Sequence, residues 1–408
     1  MKSFCLYLII ICSALLAAGC HDKVVEPPID PTPQPRAEAE RTVIIYMAGD
    51  NSLDDYPSNA QADTTEMAKS KSQIPENVNF IIYIDNLNQK PAIYELSAKG
   101  GMQLWKQYDE ELSSTDSLTM LTVLREIEHY FPARHYGITF WSHATGWAPR
   151  QSSSRRNTFG QDKHPNKPGV EDEMEIADLR DVLSQLPKFD YIFFDACFMQ
   201  CIEVAYELRG ATDCMISSPA EIPGPGAPYD KIVGALCQGD ADGIIQGYDS
   251  GYPYHEYPGV LLSRIDCTKL DALAEITGQL LTPFFMGHAT PDLSGFQPYC
   301  NDPTWSTHLT RFTYCFDMST TMCRLLPPED YAAWMEVFDE AVPVRKLSDD
   351  NRWRADFCNR PYGRVNDADC YGGVSMFLPL EIYDRYGWNE HFRQTAWYEA
   401  AGWEKTGW

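Results

Sequence analysis

The sequence predicts an α/β fold with a mostly parallel sheet flanked by helices. Three observations predict it. Short apolar runs alternate with helical patterns between residues 42 and 217, the order that builds a parallel sheet with crossover helices. The runs are apolar throughout, as in strands that are buried on both faces. Most of them end at polar or reactive side chains, and ligands of such folds bind at the carboxyl ends of strands.

The elements of the core follow in order along the chain. Buried strands are predicted at 42–48, 78–84, 136–142, 190–196 and 214–217, and a hairpin of short strands at 91–96 and 101–105. Helices are predicted at 53–70, 118–131, 176–186 and 198–210. In the second helix, Leu121, Leu124 and Ile127 recur at helical spacing. Asp116 or Ser117 is its expected cap.

Two further regions complete the organisation. Residues 148–169 are polar, contain three prolines and have no apolar period, which predicts a long loop. Residues 231–408 are expected to form a smaller C-terminal part that completes or packs on a core spanning 41–230. Within that part, strands are predicted at 260–265 and 373–378, and helices at 270–285 and 328–341.

The N-terminus has the pattern of a targeting segment. Residues 1–19 carry Lys2 and then an apolar stretch too short to span a bilayer comfortably, which predicts a signal peptide. Small residues before Cys20 resemble a bacterial lipobox, so Cys20 is the expected lipidation site; plain secretion is the alternative. Residues 20–40 then form the anchor and a proline-rich spacer. The expected location is the cell envelope, periplasmic or at the surface.

Composition limits the classes of partner. The formal net charge of −25 repels phosphate backbones and argues against nucleic-acid binding. Attraction of basic peptides is compatible with this charge, although solubility alone explains it equally well. The thirteen cysteines include no C-x-x-C pair, which gives structural zinc and thioredoxin-like chemistry little support. Disulfides are permitted outside the cytoplasm, but the sequence assigns no pairing.

Two predicted strands each deliver one reactive side chain. Cys197 follows the strand 190–196, where a helix N-terminus is expected to favour the reactive thiolate. His143 follows the strand 136–142. The histidine precedes the cysteine by 54 residues, close to the spacing of about 50 in caspases. The alternative readings are a buried small residue at Cys197 and a loop histidine with local hydrogen bonds at His143.

The residues around this pair resemble the clostripain family of caspase-fold cysteine peptidases. The resemblance rests on FDACFM at 194–199 with IEVAYELR at 202–209, and on YMAGDNSL at 46–53, WSHATGW at 141–147 and SSPAEIPG at 217–224. It covers about 42–230 well and the remainder more faintly. It implies a caspase-like fold and a peptidase in which Cys197 is the nucleophile and His143 the acid/base.

The resemblance also implies roles for two neighbours of this pair. Asp195 is the expected floor of a pocket for a basic P1 side chain, since a buried carboxylate pairs with the guanidinium fork of Arg, and with Lys less well. Its alternative role is to cap the next helix. The N–H groups of Ala144 and Cys197 are the expected oxyanion donors. The family usually has glycine at the position of Ala144, and an alanine there would be strained at a positive backbone angle.

Three expectations concern regulation and cofactors. Self-cleavage in the 148–169 loop is expected after Arg155 or Arg156. No cofactor is expected, although some relatives require calcium. Candidate calcium ligands, which lack EF-hand spacing, are Asp50, Asp54, Asp55 and Glu66. The alternative for these residues is a solvated acidic surface. The predicted function is a monomeric, lipid-anchored cysteine endopeptidase acting on peptides or proteins with a basic P1 residue. The alternative is a binding lipoprotein that keeps the peptidase fold without turnover.

Overall fold

A large sheet lies at the centre of the fold. The computed structural model describes residues 34–55, 57–87, 89–147, 159–163, 171–251, 259–299, 315–354 and 362–408. The strands are β1 (Ala39–Gly49), β2 (Val78–Asn86), β3 (Gln89–Ser97), β4 (Gly101–Gln107), β5 (Ala133–Trp141), β6 (Phe159–Lys163), β7 (Glu171–Met174), β8 (Tyr191–Asp195), β9 (Cys214–Ser217), β10 (Leu262–Asp266), β11 (Cys315–Asp317), β12 (Val344–Lys346), β13 (Arg352–Trp353), β14 (Gly363–Arg364) and β15 (Ser375–Phe377).

The helices connect and cover these strands. They are α1 (Asn59–Lys69), α2 (Ser117–Tyr130), α3 (Ile176–Leu183), α4 (Ile202–Leu208), α5 (Tyr229–Gln238), α6 (Ala241–Gly251), α7 (Leu270–Leu281), α8 (Met318–Leu325), α9 (Pro328–Ala341), α10 (Trp388–Phe392) and α11 (Ala396–Ala400). Asp116 caps α2, where its side chain accepts a hydrogen bond from the Thr119 N–H. In the part of the chain that the structure describes, no helix is long and apolar enough to cross a membrane.

The main sheet has nine strands among the described residues, in the order β12-β10-β9-β8-β5-β1-β2-β3-β4. The five central strands from β9 to β2 run parallel. The pairs beyond them, towards β12 on one side and β4 on the other, are antiparallel. The predicted α/β fold with a mostly parallel sheet flanked by helices is therefore confirmed.

Both faces of the sheet are covered by apolar side chains. Ile44 and Tyr46 of β1 belong to a core that includes residues of α2, α3 and α4. Val43 and Ile45, the alternate residues of the same strand, belong to a second core that includes residues of α1, α5 and α6. Burial on both faces explains why the central strands read as continuous apolar runs. The reactive ends of these strands are consequently left as the accessible edge of the sheet.

Two predictions about local structure were wrong. The predicted loop 148–169 contains β6, which pairs with β7 although its sequence has no apolar alternation. The helix predicted over 198–210 begins only at Ile202, with Cys201 as its N-cap. The segment between β8 and α4 is tied instead to its neighbours: the Gln200 N–H donates to Ser218 O, and Gln200 O accepts from the Ser375 N–H. These contacts and the turn at Cys197 and Phe198, the latter with φ +62°, delay the start of the helix.

Residues 231–408 share the sheet with the core. β10 pairs with β9, and β12 pairs with β10, so this part of the chain extends the same sheet. A disulfide joins Cys323 of α8 to Cys370. The C-terminal elements also reach the site region, since the indole of Trp147 stacks on the His391 ring.

Candidate active site

A pocket of about 200 Å³ opens at the carboxyl ends of β5 and β8. Four of the residues singled out from the sequence line it, namely His143, Ala144, Asp195 and Cys197. The remaining walls include Leu53, Trp141 and the 221–226 segment. The pocket therefore brings together residues from four separate stretches of the chain.

Strand register explains why the histidine and the cysteine meet. Trp141 of β5 is paired with Asp195 of β8, and each strand ends at that residue. His143 and Cys197 each lie two residues beyond the pair. Because neighbouring strands lie about 4.8 Å apart, equal extensions from one register position bring both side chains to the same edge.

His143 is held by residues that follow β1. The Ser52 Oγ lies 2.9 Å from His143 Nε2. The Asn51 side chain donates to Gln161 O at 2.8 Å, and Gly160 N–H donates to His143 O at 2.9 Å. Strand β6 thus binds the histidine backbone, and the turn after β1 contacts the ring at Nε2.

Cys197 is partly exposed and lies close to the Ile222 backbone. Its Sγ accepts from the Ile222 N–H at 3.4 Å. Burial raises the pKa of the thiol to about 12, and the charge of Glu221 adds to the shift. The expectation of a helix N-terminus that favours the thiolate was wrong, because α4 begins five residues later and the nearest donor comes from the 221–226 segment.

Backbone strain falls on residues beside the site but spares Ala144. Among the described non-glycine residues, positive φ occurs at Phe198, His288 and Asn351, and Ala144 is absent from that set. The left-handed glycine of this loop is Gly146, at φ +79°, where a Cβ would lie 3.0 Å from Phe198 O. Ala144 is bridged to Phe159 of β6 in extended pairing. Alanine therefore keeps its N–H at this position without the strain that glycine would relieve.

Asp195 is a buried carboxyl at the base of the pocket. Its Oδ2 accepts from the Ala227 N–H at 2.9 Å and the Tyr229 hydroxyl at 3.1 Å, and its Oδ1 lies 3.4 Å from the Tyr248 hydroxyl. Burial raises its pKa to about 6, although these donors oppose the shift. A Cβ on Gly226, which has φ +68°, would lie 2.8 Å from Asp195 Oδ2. The carboxyl is therefore ionised near neutral pH and is closely fitted by its surroundings.

Three contributors to the site were missed from the sequence. Ser52 contacts the histidine ring, and Glu221 lines the pocket beside the thiol. Asp63 of α1 accepts a 2.7 Å hydrogen bond from the indole N–H of Trp141, which itself lines the pocket. Ser52 and Glu221 lie inside the motifs YMAGDNSL and SSPAEIPG. The resemblance therefore identified these segments, but it predicted no role for either residue. Asp63 had no signal beyond one polar residue on the apolar side of a helix.

The remaining candidates are not among the described residues that line this pocket. Cys20 and both Arg155 and Arg156 lie outside the described residues. The calcium candidates have separate partners: Asp50 pairs with Lys163 at 3.3 Å, Asp54 accepts from the Leu87 N–H, and Glu66 accepts from the Tyr229 N–H. Among the described residues no group of three or more His, Cys, Asp or Glu side chains is arranged to hold a metal ion.

The fold and the pocket define the class of this protein. The mostly parallel sheet covered by helices on both faces and the similarity to known proteases define a cysteine-type endopeptidase of caspase-like fold. The chain belongs to the clostripain family, peptidase family C11, whose sequence profile matches residues 45–408. The resemblance drawn from the sequence is therefore confirmed.

Individual relatives agree with this assignment. The chain is 26% identical to clostripain of Hathewaya histolytica over 220 residues, a match that spans 47% of this chain and 41% of clostripain's own length. A secreted C11 cysteine protease from Bacteroides thetaiotaomicron, solved with an irreversible peptide inhibitor, has a TM-score of 0.75 and 30% identity, with 90% of this chain and 99% of that chain covered. An inactive zymogen C11 protease from Parabacteroides distasonis has a TM-score of 0.73 and 27% identity, with the same coverage of both chains.

Proposed function

We propose that this protein is an extracytoplasmic cysteine endopeptidase that cleaves peptide bonds after Arg, and after Lys less well. The observation that carries the proposal is the single pocket lined by His143, Cys197 and the buried carboxyl of Asp195. A guanidinium matches a carboxylate through two parallel hydrogen bonds, whereas an ammonium offers a point charge. A basic P1 side chain that enters this pocket would place its own carbonyl carbon near the sulfur.

In the proposed reaction, the imidazole of His143 takes the thiol proton of Cys197, while Ser52 contacts its Nε2. The thiolate attacks the carbonyl carbon of the P1 residue, and the N–H groups of Ala144 and Cys197 receive the developing oxyanion. The tetrahedral intermediate collapses as His143 protonates the leaving amine, which leaves an acyl-enzyme. Water, deprotonated by His143, then releases the acid product and restores the thiol. This chemistry needs no metal ion, so the proposed activity should survive chelation of calcium.

The decisive experiment compares two cysteine variants. A fluorogenic peptide with P1 Arg should be cleaved by the wild-type protein and by Cys201→Ala, but not by Cys197→Ala. Cys201 is the matched control because it is a fully buried thiol four residues away. Equal rates for wild type and Cys197→Ala would exclude this mechanism. Absence of cleavage by the wild-type protein would favour the second reading, a binding lipoprotein without turnover.

Two further parts of the proposal concern processing and location. Cleavage after Arg155 or Arg156 would separate the histidine and cysteine halves, and the zymogen form known for a similar protease supports such a step. A Cys197→Ala protein that was still cut there would rule out self-cleavage. The proposed anchor is a lipid on Cys20 after removal of residues 1–19, with 20–40 as spacer to the body. The Cys20→Ala protein should no longer incorporate labelled palmitate or sediment with membranes.

A further inference from the structure

Asp63 is a carboxyl in an environment that otherwise accepts apolar groups. It lies on α1, is 2% exposed, and faces the core formed by Ala60, Met67 and Trp141. Its Oδ2 accepts the indole N–H of Trp141 at 2.7 Å. An indole N–H needs an acceptor when buried, but a neutral amide would satisfy it without the cost of burying an ionisable group. The presence of a carboxyl in place of an amide therefore indicates that the charge of this group has a function.

The groups around Asp63 connect it to the specificity pocket. Trp141 lines that pocket and is paired in register with Asp195. The titratable groups that act on Asp63 or feel its charge are Asp195 of β8, Glu66 on its own helix and Tyr229 of α5. Tyr229 in turn donates to Asp195. The two carboxyls thus belong to one buried polar cluster, in which Asp195 lines the pocket and Asp63 contacts the pocket wall through Trp141.

On the basis of the proposed function, we propose that Asp63 is a positioning residue for P1 arginine. It fixes the Trp141 wall of the pocket, and its carboxyl supplies a second negative charge, in addition to that of Asp195, when it ionises. Two carboxylates in one low-dielectric cluster do not both ionise readily, so one keeps its proton until solvent pH or a cation offsets the repulsion. The pair therefore carries one negative charge near neutral pH and two at alkaline pH. Affinity for a guanidinium should rise at each ionisation.

Burial and electrostatics agree with this order of ionisation. The pKa of Asp63 is raised to about 9, mainly by burial and to a smaller extent by the charge of Asp195. The hydrogen bond from Trp141 opposes this shift. The pKa of Asp195 itself lies at about 6. Both groups are acids, so the charge appears as pH rises through each value. The two steps are far enough apart to be measured separately.

The test uses two fluorogenic peptides that differ at P1 only, with arginine in one and citrulline, its uncharged isostere, in the other. The ratio of their kcat/KM values cancels the ionisation of the catalytic thiol and imidazole in the unbound enzyme. For the wild type this ratio should rise near pH 6 and again near pH 9. The second rise should be at least on the order of tenfold, the effect of one added charge about 12 Å away at an effective dielectric constant of about 20.

The variants separate the two carboxyls. Asp63→Asn keeps an acceptor for the indole and should retain only the rise near pH 6. Asp195→Asn should lose that rise, and its remaining rise should move to lower pH because the neighbouring charge is gone. A ratio profile of Asp63→Asn that superimposes on the wild type would overturn the inference. A wild-type ratio near one at every pH would instead refute the proposed arginine specificity itself.

A second variant guards against failure of Asp63→Asn to fold. Trp141→Phe keeps the carboxyl but removes the indole N–H that donates to Asp63 Oδ2, so the alkaline rise should move to higher pH. The melting temperature of each variant shows whether it is folded. A Trp141→Phe protein that is folded and shows the wild-type alkaline rise would also overturn the inference.

Discussion

Asp195→Asn should make the protein more stable and less active towards arginine. The carboxyl is buried, and its pKa is raised from 3.8 to about 6 in the folded chain. A raised acid pKa means that the folded state holds its proton more tightly than the unfolded state between these values. Stability is therefore lost as pH rises from about 4 to 6, and the whole penalty is present above pH 6.

The size of the effect follows from the shift. Roughly two pKa units, at 1.36 kcal/mol each, correspond to about 3 kcal/mol at neutral pH. Asparagine removes the charge and fits the same place, because its oxygen can accept from the Ala227 N–H while its amide can donate to the Tyr248 hydroxyl. For the reaction, loss of the buried anion should lower kcat/KM on an arginine peptide on the order of 10²–10³-fold, as expected for truncating a buried charge pair.

The assay is chemical denaturation of wild type and variant at pH 4 and pH 7.5, with Asp213→Asn as control. Asp213 is an exposed aspartate in an ion pair with Lys188, and its loss should change the free energy of unfolding by less than about 1 kcal/mol at both pH values. The gain in the free energy of unfolding of Asp195→Asn over the wild type should be about 2 to 3 kcal/mol larger at pH 7.5 than at pH 4. A variant that is destabilised more at pH 7.5 than at pH 4 would refute the reasoning.

Three other perturbations have defined outcomes. Gly226→Ala should lower the free energy of unfolding by roughly 1–3 kcal/mol and weaken the preference for arginine, because residue 226 has φ +68° and the new Cβ would lie 2.8 Å from Asp195; a melting curve like that of wild type would contradict this. Replacing Cys323 and Cys370 by alanine should cost about 4 kcal/mol, as expected for opening a 47-residue loop, while activity at 25 °C is retained; an unchanged melting temperature would argue against the disulfide. Alkylation of Cys197 by iodoacetamide at pH 7.5 should be slower than that of a cysteine peptide, since burial raises the pKa of this thiol to about 12, and mass spectrometry of the labelled site should show the rate increasing with pH; a peptide-like rate at pH 7.5 would contradict this.

The sequence was informative where one segment determines its own structure. The continuous apolar runs located the central strands, and α9 at Pro328–Ala341 matches its predicted bounds. Parallel pairing then brings strand ends together, so His143 and Cys197 could be joined from sequence order and the family resemblance. These predictions needed no knowledge of long-range contacts.

What could not be predicted depends on contacts between distant segments. The helix after Cys197 starts late because Gln200 is bound by Ser218 and Ser375. Strand β6 is polar because a buried Asp162 within it accepts from the Ser114 N–H at 2.7 Å. No local pattern encodes these partners. Asp162 and Ser114, for example, lie 48 residues apart in the sequence. Local propensity therefore gave way to tertiary hydrogen bonding at both positions.

The same carboxyls connect substrate choice to the reactivity of the thiol. After burial, the charge of Glu221 raises the pKa of Cys197, and that of Asp195 adds to it. A P1 cation bound at Asp195 would offset these charges at the moment when the scissile carbonyl reaches the sulfur. The thiolate would then become easier to form in the complex than in the empty pocket. Under the proposed specificity, a basic P1 residue would therefore contribute to the rate of the chemical step as well as to binding.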